Sequence, residues 1–319
     1  MKGTTSNLVE YKYMYEVDDT YLFHPLKFIY SLINNEQIYE NTSIKKIEIV
    51  DNNYICYTDE YKIKAKYVIL GLHYPYFQLP FLFPIKGTLE KSYLSASKYL
   101  DKVSLISYSN PFISIRNYED YLIYLSNSHS VSNKVFDKEN FDKLLNKLKK
   151  LNLKPEYLWS NIDIITNDGL PYIGEIKNHL LIGTGYNTWG LATGFLAGKI
   201  ITDIINNNEN EYIELFNPKR MNLSQVIGPF ICAYKSIEGI VNGFKKDPKI
   251  TYDVINNTKV MIYKDYRKHI VNHKCPHFGC RLLFNEIEKT WDCPCHGSRF
   301  DIDGKCINGP SNHNINLDF

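Results

Sequence analysis

The sequence predicts an α/β domain of mixed sheet and helices over residues 1–222, joined by a helical connector over 223–247 to a small all-β domain over 248–319. Three observations carry this. Through the first two thirds of the chain, short runs with a period of two alternate with runs of helical period, as in a sheet covered by helices. One long apolar stretch, Gln225 to Phe244, interrupts that alternation. After Asp247-Pro248 the chain turns strand-like, is punctuated by Gly, Pro and Asn, and carries most of the cysteines.

A helix is expected from Pro25 to Asn34, strands near Ser43–Ile49, Tyr54–Thr58 and Tyr67–Gly71, and a charged helix around Phe141–Leu151. A strand from His179 leads into glycines and then a helix through Ile205. The run Asn206 to Asn210 follows as a solvated loop. The stretch Gln225 to Phe244 contains Lys235 and Glu238 and falls short of the roughly 18 unbroken apolar residues of a membrane span. It reads as an ordinary buried helix.

Composition narrows the function classes. The 37 basic and 35 acidic residues nearly cancel and are scattered, so no footprint for nucleic acid is present and no such partner is expected. The first residues, Met1 to Asn7, lack the apolar core of a secretory signal, which makes the cytoplasm the expected compartment.

Five of the seven cysteines lie between Cys275 and Cys306. Cys275-Pro-His277 is followed after fifteen residues by Cys293-Pro-Cys295-His296, with Cys280 beside the first pair. Two Cys/His pairs thus face each other across a hairpin-length spacer. Thiolates and imidazoles suit soft or borderline metals, and a tight turn lets both side chains of a pair point at one centre. The residues themselves leave two readings: an iron–sulfur site, or a closed structural zinc site.

The full pattern, Cys-x-His then Cys-x-x-His with extra cysteines at 280 and 295, resembles the Rieske family. That resemblance implies a [2Fe–2S] cluster with Cys275 and Cys293 on one iron, and His277 and His296 on the other, solvent-facing iron. It further implies a Cys280–Cys295 disulfide between the two cluster-binding loops and a covering proline loop at Gly309-Pro310-Ser311. Ser298 matches the hydroxyl that tunes the cluster by hydrogen bonding, whereas Phe300 stands where high-potential members carry a tyrosine. Cys56, Cys232 and Cys306 have no motif partner and read as small hydrophobes. His269 and His273 read as strand residues beside the cluster.

The larger domain resembles the flavin-dependent oxidoreductases of the glycine and D-amino-acid oxidase type, in the subgroup with a C-terminal Rieske domain. The matching pieces are Phe23-His24-Pro25, Tyr67 to Gly71 with His73-Tyr74-Pro75, Lys91-Ser92-Tyr93, Asn167 to Gly174, and Gly183 to Gly194. In such enzymes a strand–Gly-rich turn–helix approaches the flavin ring, where a helix N-terminus stabilises negative charge. This nominates Gly185, Tyr186, Asn187, Thr188, Trp189, Gly190 and Leu191 as flavin-side residues and FAD as the second cofactor. Asp168 reads as a turn former. Nothing before Tyr21 resembles the G-x-G-x-x-G unit that holds the FAD pyrophosphate. The chain therefore resembles the C-terminal part of such an enzyme, and alone it is expected to bind FAD weakly or not at all. The expected partners are an electron donor or acceptor, protein or small molecule, and a subunit or segment carrying the pyrophosphate site. The function implied is electron passage between a flavin-linked oxidation site and the cluster. The alternative is a carrier module docking on a separate FAD-bearing partner. A ring-hydroxylating oxygenase would need a mononuclear iron triad, for which no carboxylate is spaced.

Overall fold

The computed structural model describes residues 8–9, 13, 15–18, 21–33, 36–74, 86–107, 112–132 and 137–317. Asn34 and Pro75 lie outside the described residues.

Helix α1 (Pro25–Leu32) begins with proline in its first turn, and His24 Nδ1 accepts from the Lys27 amide at 3.3 Å as its cap. Strands β1 (Lys46–Val50), β2 (Asn53–Tyr57) and β3 (Lys62–Ala65) form an antiparallel meander, β2 burying Tyr54 and Cys56 on one face. Strand β4 (Val68–Leu70) runs parallel to β11 (Leu180–Thr184), which pairs antiparallel with β10 (Tyr172–Lys177). Helix α3 (Gly190–Asn206) packs Ala197, Ile200 and Ile201 on this mixed sheet. It ends at Asn207, whose left-handed φ of 55° closes the C-terminus.

The largest sheet is antiparallel throughout. Its order is β6 (Ser104–Ser107), β7 (Ile113–Tyr118), β8 (Tyr121–Ser130), β5 (Gly87–Lys98), β9 (Pro155–Thr166). Ser95, Ser97 and Ser126 are buried in it, so small polar residues occupy inward positions and blur the apolar alternation that marks a strand. Helix α2 (Asp137–Lys150) covers this sheet. Phe141, Leu144 and Leu148 fall on one helical face, fully buried, against Tyr93, Ile115, Leu122 and Tyr124. Each such side chain contributes about 1.5–3 kcal/mol by leaving water. Acidic residues open α2 and lysines close it, as its dipole favours.

Helix α5 (Leu223–Gly243), after the short α4 (Ile213–Phe216), differs from the buried helix expected. Phe230 and Phe244 are 75% and 70% exposed, and Val226, Tyr234, Ile237 and Val241 share that outer face. Its inner face is made of small residues instead. A Cβ at Gly239 would lie 2.8 Å from Cys295 Cα, and one at Gly243 would lie 2.9 Å from the Arg281 carbonyl oxygen. Small size, not hydrophobicity, lets this helix approach the C-terminal domain.

That domain consists of two antiparallel sheets, β12 (Thr251–Ile255), β13 (Thr258–Lys264) and β14 (Lys268–Asn272), then β15 (Leu283–Asn285), β16 (Thr290–Asp292), β17 (Arg299–Phe300) and β18 (Cys306–Asn308). The β12–β13 hairpin turns on Asn256 and Asn257, both at positive φ, which asparagine tolerates. Met261, Val271, Leu282, Trp291 and Phe300 fill the core between the sheets. His269 is buried between Asp265, at 3.1 Å, and Asp303, at 2.7 Å, which satisfies both ring nitrogens.

Candidate metal centre

Two loops at one end of the C-terminal domain have the same construction. In the first, the Gly279 amide donates to the Cys275 carbonyl at 2.9 Å and the Cys275 amide to the Cys280 carbonyl at 2.8 Å. In the second, the Gly297 amide donates to Cys293 at 3.0 Å and the Cys293 amide to Ser298 at 2.8 Å. Each turn closes through a left-handed residue, Gly279 at φ 73° and Gly297 at φ 68°. At Gly297 a Cβ would also press on Ile162 Cδ1 at 3.1 Å, so glycine serves both the turn and the seat of the loop on β9.

These turns gather the predicted ligands. Cys275 and Cys293 are 1% and 3% exposed, and the Cys293 thiol donates to the Cys275 sulfur. That bond, with the amides of His277 and Phe278 and the Ser298 hydroxyl, pulls Cys275 down to a pKa of about 7 against its burial. Donating to Cys275, together with burial, pushes the Cys293 thiol up. The rings of His277 and His296 stand 5.1 Å apart, edge to face. Burial, with His296 beside it, lowers His277 to about 4, and burial lowers His296 too, so both imidazoles are neutral near pH 7. The Nδ1 atoms of both are buried without a hydrogen-bond partner among the described residues. An unpaired buried nitrogen is costly, and here there are two, on the same two loops as the two buried sulfurs. Two thiolates and two neutral imidazole Nδ1 atoms fit the donor set of a [2Fe–2S] group with mixed ligation.

Cys280 and Cys295 are joined by a disulfide of 2.01 Å that ties the two loops together. Both sulfurs lie within 4.8 Å of the Cys293 sulfur, which puts the cross-link beside the candidate centre. Because Cys280 and Cys295 are bonded to each other, this triple is not a ligand set. Cys306 lies in the same core, its thiol donating to the Ser311 carbonyl at 3.1 Å.

Ser298 is fully buried, and its oxygen accepts from the Ser311 amide of the covering loop at 3.0 Å. Its proton is therefore free to point at the Cys275 sulfur. Phe300 is likewise fully buried in the domain core. A hydrogen bond to a ligand sulfur favours the reduced, more negative centre, so Ser298→Ala is expected to lower the midpoint potential. Losing about 1 kcal/mol of this preference corresponds to roughly 40 mV for one electron, readable by voltammetry.

The second loop is also clamped to the large sheet. Lys91 Nζ on β5 pairs with Asp292 at 2.6 Å and with Asp137 at 2.8 Å. Arg299 pairs with Asp292 at 3.2 Å and Glu288 at 2.9 Å, and donates to the Ser160 carbonyl on β9 at 3.1 Å. Burial alone would depress Lys91, but Asp137 and Asp292 outweigh it and leave its pKa raised. Asp292 and Arg299 bracket the loop from Cys293 to Ser298, so one buried ionic network fixes both ends of it. The sequence contains no local signal for this, since Lys91 and Asp292 are 201 residues apart.

The flavin-side candidates sit on the β11–α3 turn. Gly185, at φ 70°, is packed so that a Cβ would collide with Thr166 Cγ2, and Asn187 and Thr188 are also left-handed. Asn187 spends its amide within the turn: its oxygen accepts from the Thr166 amide at 2.8 Å and the Thr166 hydroxyl at 3.1 Å, and its nitrogen donates to the Gly169 and Gly185 carbonyls at 3.1 and 3.0 Å. It shapes the turn. Thr188, Trp189, Gly190 and Leu191 are exposed at the start of α3. Asp168 forms its expected turn, accepting from the Leu170 amide at 3.2 Å. Arg220 meets its carboxylate with two nitrogens at 2.7 and 2.8 Å.

Comparison with known proteins agrees with both halves of this architecture. Residues 241–317 match the family model of the Rieske [2Fe-2S] domain. YhfW of Bacillus subtilis, named for a Rieske 2Fe-2S iron-sulfur protein, is 26% identical over 91% of this chain and 63% of its own length. The iron-sulfur subunit of the cytochrome b6-f complex from Desmonostoc sp. is 42% identical over 72 residues, covering 23% of this chain and 36% of that subunit. Among solved structures, an L-amino acid deaminase from Proteus vulgaris, with its specific insertion deleted, superposes with a TM-score of 0.50 at 19% identity. The match covers 60% of this chain and 53% of the deaminase. That likeness shows the fold. No described helix is long and apolar enough to cross a membrane.

Proposed function

We propose that a C-terminal Rieske domain, seated on a flavin-oxidoreductase fold, makes this chain the cluster-bearing part of a flavin-linked oxidoreductase. Residues 1–222 supply the sheet and the flavin's ring-side wall, 223–247 the connecting helix and 248–319 the cluster domain. Cys275, His277, Cys293 and His296 are the ligands, with Cys280–Cys295 as the cross-link. When bound, a [2Fe–2S] cluster supplies one-electron transfer and a flavin links it to two-electron substrate oxidation. The observation that carries this reading is the Lys91–Asp292–Arg299 clamp, which holds the second loop on β5 and β9. The clamp fixes the cluster loop on the large sheet of this chain; the alternative, a carrier module that docks on a separate FAD-bearing partner, is discriminated by bound flavin.

The chain's own residues have defined tasks in this reading. Gly279 and Gly297 close the loops, the Cys and His side chains of those loops are the ligands, and the Ser311 amide donates to the fully buried Ser298 hydroxyl. At the other end, Thr188 to Leu191 are exposed where α3 opens, and a helix N-terminus favours negative charge.

A titration of the cluster-loaded chain with FAD, followed by flavin fluorescence, tests the flavin wall. Binding is expected to be weak enough to be lost on gel filtration. Gly190→Asp places a carboxylate in open space at the start of α3, and it should weaken the remaining affinity at least about tenfold, ~1.4 kcal/mol. Unchanged binding in Gly190→Asp would instead support a carrier module that docks on a separate flavin protein.

A further inference from the structure

We propose that Ser236, on α5, is the positioning residue of His296, and that it makes the two imidazoles of the centre unequal. The inference rests on the cluster assignment above. Ser236 Oγ lies 2.9 Å from His296 Nε2 and donates its single proton to the Cys232 carbonyl, one turn earlier in the helix, at 2.8 Å. With that proton committed, the hydroxyl oxygen can only accept from His296. His296 Nε2 therefore carries hydrogen, and its buried, partnerless Nδ1 is the lone pair left to serve as the ligand.

The approach of α5 makes this possible. Cys232 and Ser236 continue the small face that includes Gly239 and Gly243, and Gly239 has no room for a Cβ against Cys295. Cys232 anchors the same face through its thiol, which donates to the Gly87 carbonyl on β5 at 3.3 Å. His296 is thus held under the connecting helix, toward Tyr74, Leu89 and Ser132 of the N-terminal domain, which line the same hollow. This differs from the pair of solvent-facing histidines that the sequence resemblance implies.

His277 is placed otherwise. It makes no side-chain hydrogen bond among the described residues, and Pro276, Phe278 and Gly279 around it are exposed, Phe278 by 72%. His296 is the inward ligand, tied to the flavoenzyme fold, and His277 with Phe278 is the face offered to an external electron partner.

A hydrogen bond accepted from the far nitrogen of a metal-bound imidazole makes the ring a stronger donor and favours the oxidised centre. Removing it should raise the midpoint. In the cluster-loaded protein, Ser236→Ala is expected to shift the reduction equilibrium about threefold toward the reduced state, roughly 30 mV at 59 mV per tenfold. Pulsed paramagnetic resonance should show one histidine's nitrogen couplings altered and the other's unchanged. Ser236→Thr keeps the hydroxyl and should restore both readouts, whereas Gly239→Ala, which lifts α5 from the loop, should reproduce the alanine phenotype. A wild-type cluster present but indifferent to Ser236→Ala, in midpoint and in couplings, would overturn the proposal and leave the cluster assignment standing. Absence of a [2Fe–2S] signal from the wild type would defeat the assignment itself.

Discussion

Alanine at Cys275 or Cys293 is expected to reduce bound iron from about two atoms per chain to near none, with loss of acid-labile sulfide. The two sulfurs are nearly inaccessible and each receives donors from its own turn, so no neighbouring cysteine can substitute. Cys280 and Cys295 are consumed by their disulfide. His277→Ala and His296→Ala should fail in the same way, because each removes one of the two buried, partnerless Nδ1 atoms proposed as ligands. Because ligand binding is coupled to folding, these variants should also unfold at lower denaturant than the loaded wild type. Cys306→Ser supplies the control, since a serine hydroxyl can keep the bond to the Ser311 carbonyl. Iron measured by chelation assay should be unchanged there. Retained cluster in Cys293→Ala, or a lost one in Cys306→Ser, would mean the ligand set is misassigned.

The second large effect is expected at Lys91. Its side chain is 4% exposed and neutralises Asp137 and Asp292, themselves 17% and 11% exposed. Lys91→Met preserves most of the volume and leaves two buried carboxylates short of a partner, which costs about 3–5 kcal/mol. Arg299 still faces Asp292, so the lower end of that range is expected. The outcome is measured as the midpoint of urea unfolding, and Lys91→Met/Asp292→Asn should recover part of the loss because the orphaned charge is then removed. Strictly additive losses in the two single variants and the double would show that the pair is uncoupled. Since Asp292 directly precedes Cys293, the single variant should also broaden the cluster's paramagnetic resonance lines as the second loop loses its fixed seat.

The parts of this molecule legible in the sequence are those set by short-range geometry. The two loops need a cysteine, a histidine two or three residues on and a glycine at the fifth position, so Cys275 to Gly279 and Cys293 to Gly297 advertise themselves by spacing. The β11–α3 turn is visible for a similar reason, through Gly183, Gly185 and Gly190, although only the structure shows that Asn187 spends its amide within the turn. Helix α2 shows its buried face in the period of Phe141, Leu144 and Leu148.

Features that depend on contact between distant segments left no local trace. The bond from His296 to Ser236 spans 60 residues, and nothing in a helical Ser-Ile-Glu-Gly run indicates a metal ligand's partner. Helix α5 reads as buried because its hydrophobic residues are counted without regard to side. Its contacts with the C-terminal domain fall on Ser236, Gly239 and Gly243, and Phe230 and Phe244 are exposed. Strand β5 is equally obscured, since Lys91, Ser95 and Ser97 are polar residues at buried positions.

The central claim is that four side chains from two matched loops hold a [2Fe–2S] cluster by mixed thiolate and imidazole ligation. It is tested most directly by iron and sulfide analysis of the purified protein combined with paramagnetic resonance of its dithionite-reduced form. About two irons and two labile sulfides per chain, with nitrogen couplings from two histidines in the reduced spectrum, is the predicted result. One zinc per chain, no sulfide and no paramagnetic signal would contradict it.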